Sequence, residues 1–188
     1  DNLQQFVAVA KSKPGQLNHA STGGGSVSRL AIELFNIMAG VRIQNIPYKG
    51  GGPAVTDLLG GQVQLLFANP INVVSHIKSG RLKAIAISGD TRSSALPQVP
   101  TFSEAGLPGF DVRSWSGVLA PARTPKAIID KLSTAIARIM AMPENKEKLD
   151  SQGLDPFIST PEQFAALMKS DLARFAKIIK TANIKADE

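Results

Sequence analysis

The order of apolar runs and turn signals predicts an α/β fold built on a mostly parallel sheet. Three observations carry this reading. Short strand-like runs alternate with segments whose apolar residues recur at helical spacing. Each run enters the next helix through a loop bearing glycine or proline. Leu82, Ala84, Ile85, Ala86 and Ile87 are almost continuously apolar, as in a parallel strand covered on both faces.

Taken in order, residues 3–12 form a helix with Leu3, Phe6, Val7 and Ala10 on one stripe, and Pro14-Gly15 ends it. A short strand spans Leu17 to Ser21. The polar glycine run Thr22-Gly23-Gly24-Gly25-Ser26 then leads into a helix marked by Val27, Leu30, Ala31, Leu34, Phe35 and Met38. Gly40 is placed to end that helix in the left-handed conformation. Val41 to Tyr48 returns as a strand. Lys49-Gly50-Gly51-Gly52 is the next loop, Pro53 opens a short helix, and Gly60-Gly61 closes it. Gln62 to Ala68 reads as a strand, Ile71 to Ser79 as a helix and Leu82 to Ser88 as a further strand.

Beyond residue 88 the pattern becomes irregular. Thr101 and Glu104 form a capping-box signal for a short helix ended by Gly106. Val112 to Ala120 is a strand candidate containing the single tryptophan, Trp115. Three helices follow. Thr124 caps the first and Pro125 opens it, Pro143 opens the second, and Thr160, Pro161 and Gln163 start the third. A domain boundary is expected between Gly109 and Pro121.

Composition narrows the function classes. At 188 residues and 43% apolar content the chain can bury a real core. No apolar stretch reaches the ~18 residues of a membrane span. The opening Asp1-Asn2-Leu3 lacks the basic and apolar regions of a signal peptide. Without cysteine there are no disulfides, thiolate nucleophiles or sulfur-ligated metals. The net charge of +6 is spread over 21 basic residues interleaved with 15 acidic ones. With one Trp and one Tyr to stack on bases, this argues for a basic soluble surface and against nucleic-acid binding.

Ser21 to Ser26 is the strongest chemical feature. Successive glycines let backbone N–H groups converge, and the following helix start adds unpaired donors and the positive end of its dipole. Such a concavity holds a carboxylate or phosphate without a charged side chain. Ser21, Thr22 and Ser26 add hydroxyls. A tight connection with no ligand is the competing reading. Ser28 stands where the dinucleotide pattern needs glycine, and Gly25-Ser26-Val27 does not complete a nucleotide P-loop. Tyr48, Lys49 and Gly50 lie in a second loop of the same kind. Tyr48 offers a flat wall and Lys49 a cation, although Lys49 equally suits a solvated surface. Asn69, before Pro70, is the third candidate, able both to donate and to accept.

Catalysis and metals find little support. His19 and His76 are the only ordinary bases near neutral pH, and neither stands at motif spacing with a nucleophile. Two histidines so far apart do not suggest zinc. No catalytic residue, metal or cofactor is expected.

The chain resembles the substrate-binding receptors of tripartite tricarboxylate transporters, the Bug family. The likeness rests on Pro14-Gly15-Gln16-Leu17-Asn18-His19-Ala20-Ser21, Ile46-Pro47-Tyr48-Lys49-Gly50 and Asp57-Leu58-Leu59-Gly60-Gly61-Gln62-Val63. It continues through Leu96 to Thr101, Glu104 to Gly109, Ser114 to Pro121 and Thr160 to Phe164. Their order and spacing over almost the whole chain make the likeness specific.

The resemblance implies a periplasmic binding protein-like, type II Venus-flytrap fold that closes on a small organic anion. It further implies a periplasmic location and delivery of the anion to membrane permease subunits. Two alternatives are a sensing module for a signalling partner and a non-binding fragment of such a receptor. Residues 1–112 would form the second, ligand-binding lobe, and residues 113–188 a return strand with C-terminal helices of the first. The ligand grip falls on Ser21, Thr22, Gly23, Gly24, Gly25 and Ser26. Asn69 stands where relatives often carry Asp, which disfavours an amine-bearing ligand. His19 replaces the family's usual Tyr. Nothing matches the family's first strand and loop, so the resemblance implies a fold incomplete at the N-terminus. The apolar stripes of the helices at 125–142 and 161–182, with Ile136, Ile139, Phe164 and Phe175, would each recover roughly 1.5–3 kcal/mol per residue by burial. The expected solutions are self-association through these helices or their rearrangement over the second lobe.

Overall fold

In the computed structural model, which describes residues 2–184, the opening stripe folds into helix α1 (Leu3–Ser12). Its cap is the Asn2 side chain, which accepts from the Gln5 N–H at 2.9 Å. Strand β1 (Asn18–Ser21) leads through the glycine loop to α2 (Val27–Ala39). Gly40 ends α2 at φ 62° and ψ 44°, in the left-handed conformation that its position called for. Strand β2 (Gln44–Pro47), α3 (Gly51–Leu59) and strand β3 (Leu65–Leu66) complete the repeating part. A 3-10 turn (Pro70–Asn72) and α4 (Val74–Lys78) follow.

The three strands form one parallel sheet in the order β2-β1-β3. β1 is central, so the chain passes to one side of it through α2 and to the other through α3. Side chains alternate across the sheet. Ala20 packs toward α3 with Ala54 and Val63, whereas His19 faces the start of α2. The main core lies on the α2 side. Phe35 is 1% exposed, and the rings of Phe6, Phe67, Phe102 and Phe110 surround it at centroid distances of 5.9 to 6.3 Å.

The later strands are corrected. The apolar run at 82–88 packs its side chains as expected, with Ile85 and Ala86 against the main core and Ala84 and Ile87 against Val74 and Leu96. Yet among the described residues it joins no ladder beyond the isolated bridge Ile87–Thr101. The run at 112–120 is likewise not a strand among the described residues. A strand requires a neighbour for its backbone groups, which an apolar run alone does not supply, and Val118 and Leu119 are largely exposed.

Two helix starts also differ. Helix α3 begins at Gly51, which puts Pro53 third rather than first. Helix α5 (Lys126–Met140) takes Pro125 as its cap, with no side-chain capping bond from Thr124. At 101–106 the reciprocal capping bonds form, Thr101 N–H to Glu104 at 2.7 Å and Glu104 N–H to Thr101 at 3.2 Å. The segment remains a set of turns because Gly106 follows at φ 95°.

Helices α6 (Pro143–Ser151) and α7 (Pro161–Thr181) end the chain, and α7 carries the full capping box of Thr160 and Gln163. Helix α7 lies against α2, and its Ile178 and Phe175 join the main core. Phe164 meets Trp115 edge-on at 4.9 Å. Helix α5 buries none of its residues, leaving Ile128, Leu132, Ile136 and Ile139 exposed. Asp1 and residues 185–188, the outer ends of the expected lobes, lie outside the described residues.

Candidate anion-binding site

Parallel strands bring their C-terminal ends to one edge, and the register fixes who meets there. Ser21 pairs with Pro47 across β1 and β2, and the Tyr48 N–H donates to the Ser21 carbonyl at 2.9 Å. Ala20 pairs with Leu66, which sets Phe67 to Asn69 on the other side of β1. The ten sequence-selected residues therefore lie at the end of β1, in the case of Ser21, or in the loops leaving the same sheet edge. Since the connections from β1 and β2 run to opposite sides, a topological switch point lies beside β1. That is where open α/β sheets form their ligand crevice.

The loop after β1 presents backbone donors that the fold itself does not use. The backbone N–H groups of Thr22, Gly23, Gly24 and Gly25 have no hydrogen-bond partner among the described residues. Gly23 adopts φ 133°, where an L side chain is strained, and a Cβ at Gly23 or Gly25 would meet nothing within 4 Å. The donors are thus unpartnered and the space around the loop is open. Ser21 is fully buried, and its Oγ has no partner among the described residues. Ser26 has a different task. Its hydroxyl donates to the Gly23 carbonyl at 2.7 Å and accepts from the Arg29 N–H at 3.2 Å, so it shapes the loop and caps α2.

The other two loops contribute less than their composition suggests. The Tyr48 hydroxyl donates to Asp57 Oδ2 at 2.7 Å, and that bond holds the phenol above its ordinary pKa. It is therefore turned toward α3. Lys49 is exposed and has no ion pair among the described residues. Gly50, at φ 104°, begins α3 without a side-chain cap. The Asn69 Oδ1 caps the following turn by accepting from the Ile71 N–H at 3.4 Å, which leaves its amide N–H groups as donors.

Neither histidine is disposed for catalysis. His76 lies on α4 with Nδ1 at 2.6 Å from the Arg81 guanidinium. His19 is fully buried, and burial pushes its pKa down to about 4. Its Nδ1 lies 3.2 Å from Asn45 Oδ1, and its Nε2 accepts from the Phe67 N–H at 3.1 Å. Among the described residues no group of three His, Cys, Asp or Glu side chains could hold a metal. Asn45 and Ser28, both against His19, were not selected from sequence. The available signal was polar side chains on a strand and a first helical turn that otherwise point into the core.

This is a mixed α/β fold of the periplasmic-binding-protein kind, with unpartnered donors at one edge of its sheet. The chain belongs to the tripartite tricarboxylate transporter family receptors, whose family model matches residues 1–184. It is similar to protein BugT of Bordetella pertussis, at 38% identity over 98% of this chain and 57% of that protein. It is similar in structure to an R. palustris protein solved with adipate, with TM-score 0.91 and 32% identity over 97% of this chain and 61% of that one. It is also similar to MatC from Rhodopseudomonas palustris with bound malate, with TM-score 0.82 and 34% identity over 95% of this chain and 62% of that one. The chain thus spans little more than half the length of these relatives.

Proposed function

We propose that this chain supplies one wall of the ligand cleft in a periplasmic receptor that delivers a small organic carboxylate to a tripartite tricarboxylate-type permease. The observation that carries the proposal is the loop after β1, with four unpartnered backbone N–H groups at the crevice edge. Ser21, fully buried at the end of β1, carries the loop rather than presenting its hydroxyl to the ligand. Two structurally similar receptors were solved with adipate and with malate, both carboxylates. That supports a dicarboxylate as the ligand class.

The same reading treats the fold as a type II Venus flytrap. Residues 1–112 belong to the ligand-binding lobe and residues 113–188 to the return segment and C-terminal helices. Lys49 supplies long-range attraction for an anion, and Asn69 supplies a neutral donor to its distal group. Tyr48 and Gly50 form the wall between these loops. The exposed apolar face of α5 supports its burial against another protein surface, a second copy of this chain included.

The test is calorimetric titration with adipate and malate. Gly25→Val places a bulky side chain at the loop, where the backbone tolerates it and no neighbour is displaced. The proposal expects an affinity loss of about tenfold or more with unchanged melting behaviour. Equal affinity of the two proteins counts against it.

A further inference from the structure

His19 stands between the loop after β1 and the loop after β3. It faces the same side of β1 as Ser21, two residues before the glycine loop begins. Its ring touches three other elements. Nδ1 lies 3.2 Å from Asn45 Oδ1 on β2. Nε2 lies 3.4 Å from Ser28 Oγ in the first turn of α2, two residues beyond the loop. The Phe67 N–H, directly after β3, donates to Nε2 at 3.1 Å. The Phe67 ring also packs on the imidazole at a centroid distance of 5.5 Å.

These partners fix the protonation state. A backbone N–H is always a donor, so Nε2 must carry the lone pair that faces Phe67. The proton therefore resides on Nδ1 and is donated to Asn45 Oδ1. The charged group acting on the ring is Arg29 of α2, itself paired with Glu33 at 2.9 Å. Among the described residues, the polar and aromatic partners of the ring on β2 and directly after β3 are Asn45 and the Phe67 backbone and ring, which do not ionise near neutral pH.

We propose that His19 is a positioning residue for the carboxylate site. In its neutral Nδ1–H form it ties the end of β3 to β1, β2 and the start of α2. It thereby holds the Ser21–Ser26 loop and the Phe67–Asn69 loop at a fixed separation. A second proton on Nε2 would face the Phe67 N–H, donor against donor, and release one loop from the other. Burial, which disfavours the charged ring, protects the arrangement at neutral pH.

The importance of this arrangement rests on the carboxylate-site reading, but its test uses no ligand. Nuclear magnetic resonance of the isotopically labelled full chain compares wild type with His19→Phe, which keeps a ring without an acceptor. His19→Gln is the rescue variant, because its Oε1 can accept from Phe67. The expected results are an Nδ1–H imidazole at neutral pH and an about tenfold faster amide exchange of Phe67 in His19→Phe. In that variant the Thr22–Gly25 amide resonances are displaced, and His19→Gln brings them back toward wild type. An Nε2–H tautomer, or Thr22–Gly25 resonances unmoved in His19→Phe, overturns the proposal. Should His19→Phe fail to fold, acid titration of the wild type decides. Loop and Phe67 amides that follow the imidazole midpoint support the proposal, and loop amides indifferent to it overturn it. Failure of malate or adipate to bind would defeat the functional reading while leaving this result intact.

Discussion

Trp115 donates its indole N–H to the carboxylate of Asp171 at 2.8 Å, joining residues 56 positions apart. Asp171 is only 5% exposed on α7, and its other oxygen accepts from Arg174 at 2.7 Å. Arg174 continues to Asp111, which Arg113 also grips at 2.8 Å. The segment near 111–115 has no ladder partners among the described residues, so this chain of charge-assisted bonds, with the Trp115–Phe164 contact, fastens it to the last helix.

Removing the buried centre of that chain should therefore cost stability. Asp171→Ala leaves the Trp115 N–H unpaired and weakens the hold on Arg174, a loss of about 2–4 kcal/mol. Urea unfolding followed by Trp115 fluorescence reads the value directly. A change under about 0.5 kcal/mol, the range of ordinary surface substitutions, would show that the latch does little.

Acid should destabilise the fold through His19. Its folded-state pKa of about 4 lies below the ordinary 6.5. Between these values the unfolded chain binds the proton more readily, so stability is full above pH 6.5 and falls as pH drops toward 4. The shift corresponds to about 3 kcal/mol. Denaturant unfolding at intervals across this window should show the loss in wild type and a smaller one in His19→Gln. Parallel pH dependences for the two proteins would assign the acid sensitivity elsewhere.

Gly40 offers a test of backbone strain alone. It sits at φ 62°, is exposed, and a Cβ there would touch nothing within 4 Å. Gly40→Ala should thus cost about 1–2 kcal/mol without any lost contact. Thermal unfolding that is unchanged by the substitution would mean that α2 ends differently in solution.

The first half of the fold was legible because local signals and tertiary demands agree there. Ser26, the glycine loop and Gly40 bound α2 from both ends, and the apolar runs around it mark the central strands. The run at 82–88 misled because its apolar residues pack in part against both cores, while among the described residues its backbone forms no ladder beyond the isolated bridge at Ile87. Thr124 carries the right side chain for a cap, but the helix starts one residue later than that cap requires. The glycine loop after β1 was visible as composition. The His19 cluster was not, because Asn45 and Phe67 lie 26 and 48 residues away and meet the ring only once the sheet has formed. The engagement of Tyr48 with Asp57 was hidden in the same way, since the i+9 partner lies across a loop and two turns of helix.

The central claim is that the loop after β1 receives a carboxylate on its backbone donors. Its most direct test is titration of the labelled chain with malate and with adipate at constant pH and ionic strength, following each amide resonance. The account predicts that the amides of Thr22, Gly23, Gly24 and Gly25 show the largest saturable shifts, with smaller ones at Tyr48, Lys49 and Asn69. Saturable shifts confined to other regions, with these four amides unmoved, would contradict it.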